Sequence, residues 1–154
     1  AKNKLKSYIE QLQDSEFGFL SFQQKWAQEK QWTTKEILNF FQVQNDKDIT
    51  DTGQYLGGVL IIKKCESTME ILNLFSSIID YDWRLITDHY KKNQIKSFRE
   101  NRHDQSMLSV ARKKIGSLVL NYEEINSGKQ ALNNPNEKDK ASPIWITRLS
   151  DDET

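Results

Sequence analysis

Cysteine is nearly absent: Cys65 alone in 154 residues excludes an intramolecular disulfide and fits a reducing compartment. Excess charge of either sign is also missing. Twenty-two Lys and Arg balance twenty-two Asp and Glu, so the electrostatic footprint of a general nucleic-acid binder is not there, and none is expected as a partner. Long apolar runs are lacking too. The longest aliphatic stretch, Val59-Leu60-Ile61-Ile62, is too short to span a bilayer, and no charged-then-apolar signal opens the sequence. Two histidines, His89 and His103, rule out a metal site of three histidines. There is no Gly-x-Ser-x-Gly elbow, no Gly-Lys-Ser/Thr phosphate loop, no dinucleotide fingerprint and no Cys-x-x-Cys pair. What is present is bulk: seven Phe, five Tyr and four Trp supply core material that disordered chains do not have. At about 100–200 residues per domain, the length suits one domain or part of a larger one. The expectation is a soluble, cytoplasmic protein. Because Ala1 opens inside a helical pattern, an N-terminal truncation is also expected.

Periodicity then orders the chain. Leu5, Tyr8, Ile9 and Leu12 mark an amphipathic helix that stops before Gly18, and Phe19-Leu20-Ser21-Phe22 reads as a short strand. Thr33 and Glu36 have capping-box spacing with Trp32 and Ile37 as a hydrophobic staple, which predicts a helix over 34–43. Residues 45–52 read as an Asp-rich loop, with or without one helical turn. The run from Gly57 to Ile62 predicts a strand buried on both faces. Ser67 and Glu70 repeat the capping-box spacing ahead of Ile71, Leu72, Phe75, Ile78 and Ile79, so strand, cap and helix arrive in crossover order. Leu108, Ala111 and Ile115 share the face of a later helix that Gly116 ends, and a strand over 117–120 follows. Residues 126–142 read as a mobile polar loop, and 143–154 as an edge strand, Ile144-Trp145-Ile146, with an acidic tail. The fold class is α/β.

The polar run Glu100-Asn101-Arg102-His103-Asp104-Gln105-Ser106 is the most informative segment. A helix N-terminus offers unpaired amides and partial positive charge, and Asn101 to Gln105 add two carboxamides, a guanidinium, an imidazole and a carboxylate. That set suits hydroxyls and phosphate oxygens. Asp104 also reads as the N-cap of its own helix, with Arg102 in a surface ion pair. Gln54 and Tyr55 are candidate acceptor contacts. Gly57 and Gly58 permit either close backbone approach to a ligand or tight packing. Trp32 serves as staple or as sugar platform, His103 as a metal ligand or a hydrogen-bonded helix-start residue. Asp88, His89 and Arg148 are further candidates, and Cys65 is a reactive or a structural thiol.

The stretch Asn101-Arg102-His103-Asp104-Gln105-Ser106, with Lys113-Lys114 beyond it, resembles a segment of bacterial and viral glycosyltransferase-like proteins of GT-A fold. Weaker matches run in the same order upstream: 5–12, 18–23, Trp32-Thr33 with Lys35, Gln54 with Gly58-Val59-Leu60-Ile61, and Ile86-Thr87-Asp88. The resemblance implies the C-terminal, acceptor-side portion (1–125) of a GT-A-like mixed sheet flanked by helices. It implies transfer of a sugar from a nucleotide-diphosphate donor to a glycan acceptor hydroxyl, in polysaccharide synthesis. Asp104 and Gln105 inherit the catalytic positions, and Gln54, Tyr55, Gly57, Gly58, Asn101, Arg102 and His103 the substrate contacts. It also implies a divalent metal, Mn or Mg, with main ligands outside this chain and His103 as a subsidiary one, and peripheral membrane association of a longer protein. The family's Asp-x-Asp after an early strand has no counterpart here: Asp80-Tyr81-Asp82 closes a helical pattern. This chain alone is therefore expected to be inactive. The competing reading is a non-catalytic α/β protein-interaction module.

Overall fold

The computed structural model describes residues 2–125, Ser142 and Ile144. The expected edge strand at 144–146, most of the polar loop at 126–142, Arg148 and the acidic tail lie outside the described residues.

Every strand pairs with β1 (Phe19–Gln28). β4 (Leu118–Asn121) runs parallel to it along Leu20 to Gln23. On the opposite edge, β2 (Gly53–Tyr55) and β3 (Ile61–Ile62) lie end to end, both antiparallel. The result is an open, mixed four-stranded sheet. Side chains alternate along β1 as a pleated strand requires. Leu20 and Phe22 meet Tyr8 and Leu12 of α1 (Lys2–Asp14) on one face, together with Leu56 and Ile125. On the other face Phe19 packs among Ile37 of α3 (Lys35–Phe40), Ile71 and Ile78 of α5 (Glu66–Asp82), and Met107 and Val110 of α6 (Asp104–Ile115). Phe19, Phe22, Ile71 and Ile78 are fully buried, each worth about 1.5–3 kcal/mol over an exposed position. Two single turns, α2 (Glu29–Trp32) and α4 (Lys47–Thr50), complete the helical layer.

Three expectations are corrected. The strand expected over 57–62, buried on both faces and leading into a crossover, is an edge strand in two pieces. Between the pairings Gln23 to Tyr55 and Leu20 to Ile61, β1 advances three residues and its partner six; the Leu56 amide still donates to the Phe22 carbonyl at 2.9 Å, and residues 57–60 bulge out. Ile61 is half-buried and Ile62 exposed, because no strand among the described residues covers that edge. Second, β1 has ten residues rather than four, since Gln23, Gln24 and Gln28 continue the ladder that the apolar pattern seemed to end. Third, neither capping box closes. Thr34 and Cys65 occupy the N-cap positions of α3 and α5, without side-chain cap bonds. Thr33 instead donates to Glu29 (2.6 Å), Glu36 accepts from Gln94 (2.6 Å), and Ser67 accepts from the Gly18 amide (2.9 Å). Asp80-Tyr81-Asp82 ends α5 as the periodicity predicts, and Asp82 binds Arg84 there through both carboxylate oxygens.

Candidate functional site

The segment entering α6 is pinned before the helix begins. Amides of Arg99 and Arg102 donate to the carbonyls of Gln31 (2.7 Å) and Trp32 (3.2 Å). Asn101 is buried, its Nδ2 donating to the Leu85 and Thr87 carbonyls at 3.0 and 3.1 Å, while its Oδ1 is buried with no partner. His103 then takes φ 52° and ψ −117°, a conformation that costs a non-glycine residue about 1–3 kcal/mol and recurs at functional sites. It occupies the N-cap position, and its Nε2 lies 3.1 Å from Asp88 Oδ1. The N-cap reading of Asp104 is thereby corrected. Asp104 is the first residue of α6, solvent-exposed and without a partner among the described residues.

Gln105 faces the other way and joins α6 to the sheet bulge. Its Oε1 accepts from the Gly57 amide (3.0 Å), and its Nε2 donates to Gln54 Oε1 (2.9 Å) and Gln24 Oε1 (3.2 Å). A Cβ at position 57 would stand 2.9 Å from Gln105 Cβ, so glycine is what allows this approach. Beneath lies a polar core. Gln54 is fully buried, with Nε2 within 2.9 Å of both Glu29 Oε1 and Thr33 Oγ1. Glu29 Oε2 accepts from Ser109 (2.6 Å) and pairs with Lys113 Nζ (2.8 Å). Arg112, also fully buried, donates to Ser21 Oγ and to the Tyr55 and Leu56 carbonyls at the start of the bulge. Burial pulls its guanidinium down to about 10, against the opposing pull of Glu29. Burial lowers Lys113 in the same way.

Above this core opens a cleft of about 590 Å³. Gly57 and Gly58 form one side, Asp88, Lys91, Arg99 and Glu100 the other, and Asn101, Arg102, His103, Asp104 and Gln105 run along it. Comparison with known proteins adds nothing to this geometry. No family model, curated protein or solved structure significantly matches the chain. Seven of the nine expected site residues thus line one cleft. Gln54 and Tyr55 do not: both are buried below it, Tyr55 with its amide on Ser109 Oγ (2.8 Å), and Gln54 reaches the cleft only through Gln105. His89 packs edge-on against Tyr90, outside the lining. Trp32 lies under cations rather than open to a sugar, with the Arg102 guanidinium 4.1 Å and that of Arg99 5.6 Å from its ring centre.

Sequence reading missed Lys91, Arg99 and the role of Glu29. Lys91 and Arg99 sit in an aperiodic stretch, where only the fold shows that two cations without a carboxylate partner among the described residues face the same space as Asp104. Among the described residues no three His, Cys, Asp or Glu side chains are grouped to hold a metal ion. No helix among them is long and apolar enough to cross a membrane.

Proposed function

We propose that this cleft serves glycosyl transfer from a nucleotide-diphosphate sugar to a glycan hydroxyl, on a GT-A-like fold. The observation that carries the reading is the convergence of Asp104, a carboxylate without a partner among the described residues, with the cations Lys91 and Arg99 and the Gly57-Gly58 turn on one cleft at a helix start. Each feature has a task in that chemistry. Lys91 and Arg99 meet phosphate oxygens, and the N-terminal end of the α6 dipole adds positive potential. Asp104 accepts hydrogen bonds from sugar hydroxyls. In an inverting course it takes the acceptor proton as the acceptor oxygen bonds to the anomeric carbon, while the bond to the diphosphate breaks and its electron pair leaves on the phosphate oxygen. In a retaining course the same carboxylate holds donor or acceptor hydroxyls. Gln105 works from beneath, with both ends of its amide spent on Gly57, Gln54 and Gln24, so that it fixes the cleft floor.

The resemblance also implies a divalent metal. His103 and Asp88 face each other and no third ligand joins them among the described residues, so these residues do not by themselves make a metal site. The steps above run through side chains alone.

A cleft beside His103 supports this reading over an interaction module, which needs no cavity there. Titration of the chain with UDP-, GDP- and dTDP-sugars, followed by amide NMR, is expected to shift Gly57, Gly58 and residues 103–105 together. Unmoved resonances across that series overturn the proposal.

A further inference from the structure

A second cavity, of about 410 Å³, opens beside α4 and the last turn of α6, and it shares no lining residue with the cleft. Tyr55 reaches it from β2. This residue is only 9% exposed, and its hydroxyl makes no hydrogen bond among the described residues. The sealed side-chain polar atoms without a partner, among the described residues, are Trp32 Nε1, Thr34 Oγ1 and Asn101 Oδ1. The Tyr55 oxygen is not one of them, so it stays open to the cavity that Tyr55 lines. A tyrosine hydroxyl placed this deep ordinarily finds a partner, because an unpaired one costs free energy. Burial raises its pKa, which keeps it an O–H donor at neutral pH.

Charges of both signs stand around that hydroxyl. The Arg112 guanidinium lies 5.6 Å and the Lys113 ammonium 5.4 Å from the Tyr55 ring centre, and Glu29 pairs with Lys113, so the ground behind the ring is positive. Lys113 Nζ is saturated by Glu29, Ile49 and Thr52, whereas Lys114 Nζ spends one N–H on the Phe41 carbonyl (2.8 Å) and keeps two. The same cavity is lined by Asp46 and Asp48, which are exposed and carry no ion pair among the described residues. Buried Val43 and Ile49 add an apolar wall. We infer that this cavity binds a free α-amino acid, with its carboxylate on the Tyr55 hydroxyl and the Lys114 ammonium, its own ammonium on Asp46 and Asp48, and its side chain against Val43 and Ile49. A phosphate here would face two carboxylates, and a polyamine would face Lys114 and the Arg112 charge; a zwitterion meets both signs. Such a site is independent of glycosyl transfer in the cleft.

The test titrates the full chain with each proteinogenic L-amino acid, followed by amide NMR. The strongest binder is then compared with its N-acetyl derivative and with the amine that lacks its carboxylate. At least one amino acid is expected to shift Asp46, Asp48, Tyr55 and Lys114 together, and each derivative to bind about tenfold more weakly or worse, since each loses hydrogen bonds between charged groups. Tyr55→Phe keeps the ring and removes a hydroxyl that bonds none of the described residues, so its urea midpoint should hold while amino-acid affinity falls about tenfold. Asp48→Asn should weaken the amino acid and leave its N-acetyl derivative unaffected. The site is overturned if no amino acid moves those four resonances, if either derivative binds as tightly as its parent, or if affinity survives Tyr55→Phe undiminished. Shifts confined to Gly57, Gly58 and residues 103–105 would put the ligand in the cleft and overturn it equally.

Discussion

Asp104 and Cys65 show how far a single side chain's setting decides its chemistry. Asp104 has no partner among the described residues, so Asp104→Asn removes charge from the cleft without unpairing any of them. Its cost to folding is confined to the first-turn interaction with the helix dipole, about 0.3–1 kcal/mol. Saccharide affinity is expected to fall about 10–100-fold, since charge-assisted hydrogen bonds are each worth roughly 1.5–3 kcal/mol. Isothermal titration beside urea unfolding separates the two, and full affinity in the variant would exclude a substrate contact. Cys65 sits at the N-cap of α5 with Ser67 Oγ at 3.3 Å and Thr68 Oγ1 at 3.5 Å from its sulfur. Those hydroxyls, then a backbone amide and the Lys63 charge, bring the thiol down to about 7. A depressed acid favours the fold above its ordinary pKa, and that contribution fades as pH falls through about 7. Alkylation by iodoacetamide should accelerate with a midpoint near that pH, and Ser67→Ala should raise the midpoint. A wild-type midpoint near ~8.5, the free-cysteine value, would show that the hydroxyls do not stabilise the thiolate.

Among the elements, the junction between the β2–β3 bulge and the start of α6 shapes the cleft, and its two glycines make a matched contrast. At Gly57 a Cβ would come within 2.9 Å of Gln105 Cβ and 3.3 Å of its Cα, so Gly57→Ala forces backbone apart and is expected to cost about 1–3 kcal/mol. At Gly58 nothing lies within 4 Å, and Gly58→Ala should be nearly neutral. Denaturant midpoints for the two variants check the difference, and equal midpoints would show that α6 does not press on the bulge. The pair was visible in the sequence, but the ladder around it was not. Apolar patterning placed one strand over 57–62, whereas pairing follows β1, and β1 keeps bonding through Gln23, Gln24 and Gln28. Cap spacing located the starts of α3 and α5 to within about two residues, yet Thr33, Glu36 and Ser67 bond partners distant in the chain. Local rules find a helix end from neighbours; the fate of a hydroxyl or carboxylate there depends on what the fold brings against it. The polar run at 100–106 was legible because its own backbone supplies the site, namely the first turn of α6.

In the whole molecule, the polar core beneath the cleft was the least legible feature, for a physical reason. Composition assigns Glu, Gln, Arg and Lys to the surface, and burial of such groups is sustained only by partners that arrive through tertiary structure. Glu29 and Ser109 are 80 residues apart in sequence and 2.6 Å apart in space. Glu29 accepts from Thr33, Gln54 and Ser109 and neutralises Lys113, whose side chain is only 4% exposed. Removing one member of such a pair leaves the other buried and uncompensated, so Glu29→Gln is expected to cost about 3–5 kcal/mol in urea unfolding. The double variant Glu29→Gln with Lys113→Met removes the stranded charge and should recover a large part of that loss. Additive losses would mean that the two groups do not stabilise each other. The same carboxylate holds Gln54, Gln54 holds Gln105, and Gln105 holds Gly57. The recovered double variant should therefore keep the Gly57 and Gly58 amide resonances and saccharide binding close to those of the unaltered protein, because the amide oxygen that Glu29→Gln leaves still accepts from Gln54; displaced resonances would show that the charge itself orients Gln54.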